Sequence, residues 1–346
     1  MKKIVISGYY GFKNLGDEAV LAGISSLLKN KDEDLKITVL SAEPEKTAEL
    51  YNVKAVSRTS FIQISNVLAE ADLFISGGGS LLQDVTGSFS VPYYLGLGCF
   101  AKFQSTKTVY YAQGAGPLTK KWSRKLTAFV LNRFELLGVR DQGSKDLLRR
   151  IGVKKDIKLT VDPVFALYDR LRVKRQKIKG KLEIGVSVRP WSVDYLKELA
   201  AALNEFAEDK NCRFIIMPMH QGTDDAVSKE LAAGLKSETV IKKLPEEPTQ
   251  ALDEFSDLDL FVGVRLHSLI FALLNQLPLL ALSYDPKIEG LMSEIDYLPV
   301  IKLKNLKSEK IVEKLNYIFS ERYTLRKKLK DFIEEKKTEA EDFAEL

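Results

Sequence analysis

What most constrains this chain is a repeated unit, in which a short apolar run is followed by a glycine-rich or charged break and then by a stretch of helical periodicity. Residues 3–7 run into Gly8-Tyr9-Tyr10-Gly11-Phe12-Lys13-Asn14-Leu15-Gly16-Asp17, and from Glu18 to Leu28 the apolar Ala19, Val20, Ile24, Leu27 and Leu28 recur at helical spacing. The same order returns at 36–41, at 71–76 before Gly77-Gly78-Gly79, and at 107–112 before Gln113-Gly114-Ala115-Gly116-Pro117. It returns again at 136–141, which ends in Arg140-Asp141 ahead of a helix over 144–151, and Ile157–Val161 with Asp162-Pro163 closes the series. Strands that alternate with helices predict a parallel, doubly wound sheet.

Over Tyr168–Lys181 basic residues replace the apolar periodicity, and a second alternating series begins after it. Its strands are expected at 183–188, 213–217, 239–241, 258–264 and 279–282, with helices at 192–209, 224–234, 248–256 and 268–275. A length of 346 residues exceeds what one core usually organises. The expectation is therefore an α/β chain with two Rossmann-like parallel-sheet domains facing a cleft, over 1–167 and 182–307, joined by a linker at 168–181 and followed by helices over 308–346. The pattern resembles that of GT-B glycosyltransferases. Ligands of open parallel sheets bind outside the strand C-termini, which puts all the glycine-rich loops on that cleft.

Composition narrows the function classes. The chain is 45% hydrophobic and 29% charged, ordinary for a globular protein, and its net charge of +5 falls well short of a nucleic-acid footprint. Cys99 and Cys212 read as reduced, buried thiols, and no Cys/His spacing suits zinc, so neither a metal nor a cofactor is expected. The apolar stretch after Met1-Lys2-Lys3 is too short for a signal peptide and none is long enough to span a bilayer. That reading expects a cytoplasmic protein, with peripheral contact at the inner face of the membrane left open.

The candidate chemistry lies at the strand ends. Asp259-Leu260-Phe261-Val262-Gly263-Val264 delivers Arg265 and His267, one of only two histidines, where a buried strand should stop. A permanent cation beside an imidazole that titrates near neutrality suits an acid-catalysed reaction on an anion. Arg140 and Lys287, in Tyr284-Asp285-Pro286-Lys287, are further cations at strand ends and complete a candidate anion clamp. Gly8–Asp17 and Ser76–Ser80 match neither GxGxxG nor a P-loop, yet glycines at strand ends let backbone N–H groups approach a ligand. On these loops Asn14, Asp17, Gly78, Gly79 and Gln83 are candidate contacts, with Asp17 weighed equally as a helix N-cap and the glycines also as tight strand–helix packing. Gln83 and Asp84 are expected on the following helix. His220, after the strand that ends near Met217, is a second-tier contact.

Taken together, Gly8-Tyr9-Tyr10-Gly11 with Asn14-Leu15-Gly16-Asp17-Glu18, Gly77-Gly78-Gly79-Ser80-Leu81-Leu82-Gln83-Asp84, Gln113-Gly114-Ala115-Gly116-Pro117, Val139-Arg140-Asp141-Gln142-Gly143-Ser144, Asp162-Pro163, Arg265-Leu266-His267-Ser268 and Tyr284-Asp285-Pro286-Lys287 resemble the polysaccharide pyruvyl transferase family, most closely its CsaB type. The match runs in order from residue 4 to about 290. The resemblance implies transfer of the enolpyruvyl unit of phosphoenolpyruvate to N-acetylmannosamine of a lipid-linked secondary cell wall polysaccharide precursor, giving a 4,6-pyruvate ketal and phosphate. The product would anchor S-layer proteins. It also implies that Arg140, Arg265, Leu266 and Lys287 bind the donor. His267 is then expected as the general acid that protonates the methylene carbon, and Asp17 as a base or orienting group for the sugar hydroxyl. Two rivals remain: a nucleotide-sugar glycosyltransferase, with Glu289 for the ribose, and a non-catalytic sugar- or phosphate-binding protein.

Overall fold

The computed structural model describes residues 2–85, 87, 89–171, 180–191, 193–304 and 306–343. The chain divides into two compact units, Met1–Leu167 with Lys336–Leu346, and Tyr168–Glu335. Each unit is built on one all-parallel sheet.

In the first unit the strands are β1 (Lys3–Ser7), β2 (Lys36–Ser41), β3 (Lys54–Ser57), β4 (Leu73–Gly77), β5 (Lys107–Gln113), β6 (Leu136–Val139) and β7 (Lys158–Leu159). The helices between them are α1 (Leu15–Lys31), α2 (Pro44–Tyr51), α3 (Phe61–Ala69), α4 (Ser90–Phe103), α5 (Lys121–Leu131) and α6 (Gln142–Arg150). The sheet order is β3-β2-β1-β4-β5-β6-β7, the doubly wound arrangement whose strand order reverses beside β1. Buried on both faces, the inner strands are continuous apolar runs, as parallel strands require: Ile6, Phe74 and Ile75 are fully enclosed. A register shift between β5 and β6 at Tyr110/Gln113, with Ala112 at φ 49°, turns the Gln113 side chain inward, where Nε2 donates to Ser76 O at 2.5 Å and to Ser76 Oγ at 2.9 Å.

The second unit holds β8 (Leu182–Ser187), β9 (Cys212–Ile216), β10 (Thr239–Ile241), β11 (Leu260–Gly263), β12 (Leu279–Ser283) and β13 (Val300–Lys302), in the order β10-β9-β8-β11-β12-β13. Its helices are α7 (Val193–Ala207), α8 (Asp225–Gly234), α9 (Pro248–Asp253), α10 (Leu266–Leu274), α11 (Pro286–Ser293) and α12 (Ser308–Ser320), with α13 (Arg322–Phe343) closing the chain. From Ser268 to Leu274 every residue of α10 is buried, which marks a central helix apolar all round. Along α13, Leu325, Leu329 and Ile333 form the buried stripe and Phe332 is half-buried. Phe343, at its end, packs within the first unit against the Tyr111 ring at 5.1 Å and fills the space beside Gly138. Among the described residues no helix is long and apolar enough to cross a membrane.

Several local expectations need correction. The first helix starts at Leu15, three residues before Glu18, because Asn14 caps it. Gln83 and Asp84 lie on a non-helical segment, where Leu82 bridges Ala115, and the next helix begins only at Ser90. The strand expected at 157–161 shrinks to Lys158–Leu159, and the edge strands β3 and β13 had no counterpart in the reading. At the start of the segment expected as linker, Tyr168 accepts a hydrogen bond from Gln276 at 2.9 Å and groups with the second unit, and positions 172–179 of that segment lie outside the described residues. Cys212 is buried, but Cys99 is exposed on α4.

Candidate active site

In the first unit the loop after β1 is fixed from several sides. The Tyr10 hydroxyl donates to Gly77 O at 2.7 Å and the Tyr94 hydroxyl to Gly8 O at 3.3 Å. Buried Glu18 accepts from Gly11 N at 2.7 Å and from the Tyr51 hydroxyl at 2.8 Å; burial pushes its carboxyl up despite these two bonds. Asn14 caps α1 by accepting from Gly16 N at 3.3 Å, and its Nδ2 donates to Asp17 Oδ2 at 2.5 Å. Asp17 is therefore a first-turn residue oriented by the cap, not the cap itself.

The three glycines after β4 make room for this helix. Gly78 has φ +69° and a Cβ there would lie 1.7 Å from Val20 Cγ1; Gly79 has φ +71° and its Cβ would lie 2.5 Å from Asp17 Oδ1. The close approach that demands glycine is thus to α1 of the same unit. Ser80 follows, and its Oγ accepts from Arg140 Nη2 at 3.1 Å. Arg140 also donates from Nη1 to Asp162 Oδ2 at 2.5 Å, with the two side chains only 6% and 4% exposed, so Asp162 does more than shape a turn. Arg140 Nε is buried without a hydrogen-bond partner among the described residues. A Cβ on Gly114 would lie 2.7 Å from Ser80 Oγ and 3.3 Å from that Nε, so the chain passes closely over the Ser80–Arg140 pair. Asp141 caps α6 through Ser144 N at 2.7 Å. Gln83 is half-buried, and its Oε1 accepts from Val85 N at 3.3 Å.

In the second unit the ends of β8, β11 and β12, adjacent in the sheet, collect cations. Arg265 is the N-cap position of α10; its Nη2 pairs with Asp224 Oδ1, and the side chains are 15% and 0% exposed. Asp224 Oδ2 accepts from Met219 N at 3.2 Å and His220 N at 3.0 Å, so the His220 turn and Arg265 share one carboxylate. His267, half-buried with Nε2 enclosed, and Leu266 occupy the first turn of α10. Lys287 lies in the first turn of α11, where Asp285 accepts from Lys287 N at 3.0 Å and its Oδ2 stands 3.9 Å from Nζ. Arg265, His267 and Lys287 thus stand at two helix N-termini, where the backbone adds positive potential. Among the described residues no group of three or more His, Cys, Asp or Glu could hold a metal ion.

Residues 14–286 match the family model described as polysaccharide pyruvyl transferase. The chain belongs to this family. It is a pyruvyltransferase of polysaccharide synthesis. A curated relative, the amylovoran biosynthesis protein AmsJ of Erwinia amylovora, is 20% identical over 386 residues, covering 91% of each chain. Among solved structures, HepE of Anabaena in complex with UDP-glucose superposes with a TM-score of 0.67 at 14% identity, covering 100% of this chain and 99% of that one. MnaA of S. aureus with UDP gives 0.67 at 12% identity over 94% and 90%, and MurG of Acinetobacter baumannii gives 0.54 at 10% over 99% and 95%. At such identities these show the shared fold, that of glycosyltransferases and epimerases built on two parallel-sheet domains.

Two cations of this pyruvyltransferase escaped the sequence reading. Arg189, just past β8, stacks over the Tyr284 ring at 4.3 Å and donates from Nη1 to its hydroxyl, while Nε is buried without a hydrogen-bond partner among the described residues. The Tyr195 hydroxyl, which burial pushes up to about 12, donates to Arg189 O at 2.5 Å and holds the turn. The signal was present: Val188-Arg189 repeats the Val-Arg step of Val139-Arg140 and Val264-Arg265 after a buried strand. Arg58, after β3, sits among the Phe12, Tyr93 and Tyr94 rings at 4.9, 4.5 and 5.6 Å and braces the Gly8 loop from the other side.

Proposed function

We propose that this pyruvyltransferase is of the CsaB type: it takes phosphoenolpyruvate as donor and N-acetylmannosamine of a lipid-linked cell wall polysaccharide precursor as acceptor. The observation that carries this reading is the junction of β11 and α10, where Arg265 and His267 stand beside the cations ending β8 and β12. A donor with a carboxylate and a phosphate needs such a cluster, because both charges must be held without water.

His267 protonates the methylene carbon, which leaves an oxocarbenium-like centre at C2. A sugar hydroxyl adds there and loses its proton, with Asp17 assigned to orient or accept it. Departure of phosphate and attack by the second hydroxyl close the 4,6-ketal, and Arg140, Arg265 and Lys287 are assigned to the donor's charges. Asn14, Gly78, Gly79, Gln83 and His220 are assigned to the acceptor or to loop contacts.

The test is phosphate release from phosphoenolpyruvate with and without a synthetic N-acetylmannosamine-containing disaccharide. Release must require the acceptor, His267→Ala must lose turnover while still binding the donor, and Arg265→Ala must weaken donor binding. A His267→Ala enzyme with near-normal rate removes the acid assignment, and failure of phosphoenolpyruvate to bind at all removes the donor.

A further inference from the structure

The fifty residues from Val85 to Phe134 contain no Asp or Glu but seven Lys or Arg. Seven positive charges exceed the +5 of the whole chain, so everything outside this stretch is net negative. The stretch supplies α4 and α5, which pack together: Val91, Tyr94 and Leu95 share an enclosed cluster with Val130 and Leu131.

The outward face of α4 is not that of a water-facing helix, which normally turns polar residues to solvent. Its exposed positions are Pro92, Gly96, Cys99 and Phe103, preceded by Phe89 at the N-cap position, all at helical spacing and none charged. Phe89 is 84% and Phe103 82% exposed. Helix α3 adds the exposed Phe61 and Ile62, and the Phe61 ring stacks on Phe100 of α4 at 5.3 Å. Helix α5 and the turn after it present Trp122, Lys125, Phe129 and Arg133 at spacings of three and four, all exposed. The Arg133 guanidinium lies over the Phe129 ring at 3.6 Å and Lys120 Nζ over the Trp122 ring at 5.9 Å, so rings and cations alternate along one surface. Lys121 and Lys125 enter no ion pair among the described residues.

An uncharged aromatic stripe bordered only by cations suits the headgroup layer of a bilayer. There Phe and Trp rings enter the acyl boundary while Lys and Arg reach up to lipid phosphates. We propose that the face formed by α3, α4 and α5 docks the protein on an anionic lipid bilayer. Charge selects this occupant. A second copy packed face to face would bring the same cations, whereas anionic lipid complements them. A nucleic acid would match the cations but leave the α4 stripe, with neither a cation nor a side-chain amide, without a counterpart. The face also reaches the glycine loops, because Lys120, at the N-cap position of α5, donates its backbone N–H to Asp84 of the glycine-led motif at 2.9 Å. Docking does not rest on the proposed reaction, although it would bring those loops to an acceptor held in lipid.

The chain has two tryptophans, so Trp191→Phe leaves Trp122 as the sole reporter in the full-length protein. Co-sedimentation with phosphatidylcholine vesicles, with and without phosphatidylglycerol, is measured at low and high salt together with quenching of Trp122 by brominated lipid. Binding should require phosphatidylglycerol, weaken with salt and quench Trp122. Phe103→Glu, and separately Lys121→Glu with Lys125→Glu, should each weaken it by about tenfold or more, with thermal melts confirming a folded chain. The proposal is overturned by no binding to anionic vesicles, by binding without quenching, or by unchanged affinity in either variant. Tighter binding to a DNA duplex than to the vesicles would overturn it in favour of nucleic acid, and a dimer that Phe103→Glu dissolves would overturn it in favour of a second copy. His267→Ala must bind vesicles as the parent does, and Phe103→Glu must keep turnover on a water-soluble acceptor while losing it on one embedded in vesicles. Absence of turnover in the parent on either acceptor would remove the pyruvyl-transfer reading and leave the vesicle result to decide the docking face.

Discussion

Asp84 lies inside the glycine-led motif that marks the family, yet its geometry is that of a brace. Its Oδ1 accepts from Thr119 N and Thr119 Oγ1, each at 2.8 Å, and its Oδ2 from Lys120 N at 2.9 Å. Burial alone would push the carboxyl up, but these bonds outweigh it and hold the group down from 3.8 to about 2. That depression corresponds to about 2 kcal/mol of folding stability at neutral pH. A carboxyl depressed by folding contributes fully above its unfolded value and loses the contribution as pH falls through the folded one. Nearly all of it should persist down to about pH 5, roughly half should remain at pH 3, and little should remain below about pH 2. Asp84→Asn removes the charge at every pH and leaves fewer acceptors, which adds about 1–2 kcal/mol that does not vary with pH. Urea unfolding of wild type and variant at a series of pH values reads the difference directly. A gap that stays constant from pH 7 to pH 3 would refute the electrostatic reasoning. Turnover at a temperature where both are folded should change little, and a collapse of kcat without loss of stability would place Asp84 in the chemistry.

Asp162→Asn should cost about 3–5 kcal/mol, since it strips the partner carboxylate from a nearly enclosed Arg140, and the double replacement Arg140→Met with Asp162→Leu should cost less in the same chemical melt. Glu18→Gln should behave in the opposite sense to Asp84→Asn. Folding raises the Glu18 carboxyl, so ionisation penalises the folded state above that raised value, and the variant's relative stability should improve as pH rises through it and level off below the ordinary carboxylate range. Arg189→Ala should raise the donor KM by about tenfold, with Arg189→Lys restoring part of it, because the guanidinium both stacks on Tyr284 and donates to its hydroxyl. An unchanged KM would confine Arg189 to shaping the loop.

The doubly wound character of both halves was legible because buried parallel strands write themselves as apolar runs and glycine marks their ends. Edge strands lack that signature: β3 and β13 are short and partly exposed, with burial on few of their residues, so nothing in Lys54–Ser57 or Val300–Lys302 stands out. Likewise the two-residue β7 is exposed on both positions. Residue types at the strand ends were legible and partners were not. Asp17 reads equally as a cap until Asn14, three positions earlier, is seen to take that role. The glycines at 77–79 read as a ligand approach until Val20 and Asp17 appear beside them.

The cations show why partners escape such a reading and what they accomplish. Arg140 is held by Asp162 and Ser80, 22 and 60 positions away; Arg265 by Asp224, 41 away; and Arg189 by Tyr284, 95 away. Each guanidinium is fixed by a group on another loop of the same sheet edge, and Arg140, Arg189 and Arg265 each keep a buried Nε without a partner among the described residues. A flexible surface arginine would have to lose side-chain freedom when an anion arrived. Here that cost has already been met in folding, by ion pairs and stacking that leave the cation oriented. Asp224 makes the point most sharply: its carboxylate is fully buried and already accepts two backbone N–H groups, so it anchors Arg265 without being free to follow it. Replacing Arg265 by lysine would keep the charge but give up the planar fork that reaches Asp224 from one side while presenting N–H groups on another. The rigidity of these placements, more than the number of positive charges, is what leaves each guanidinium with a fixed direction at the end of its own sheet.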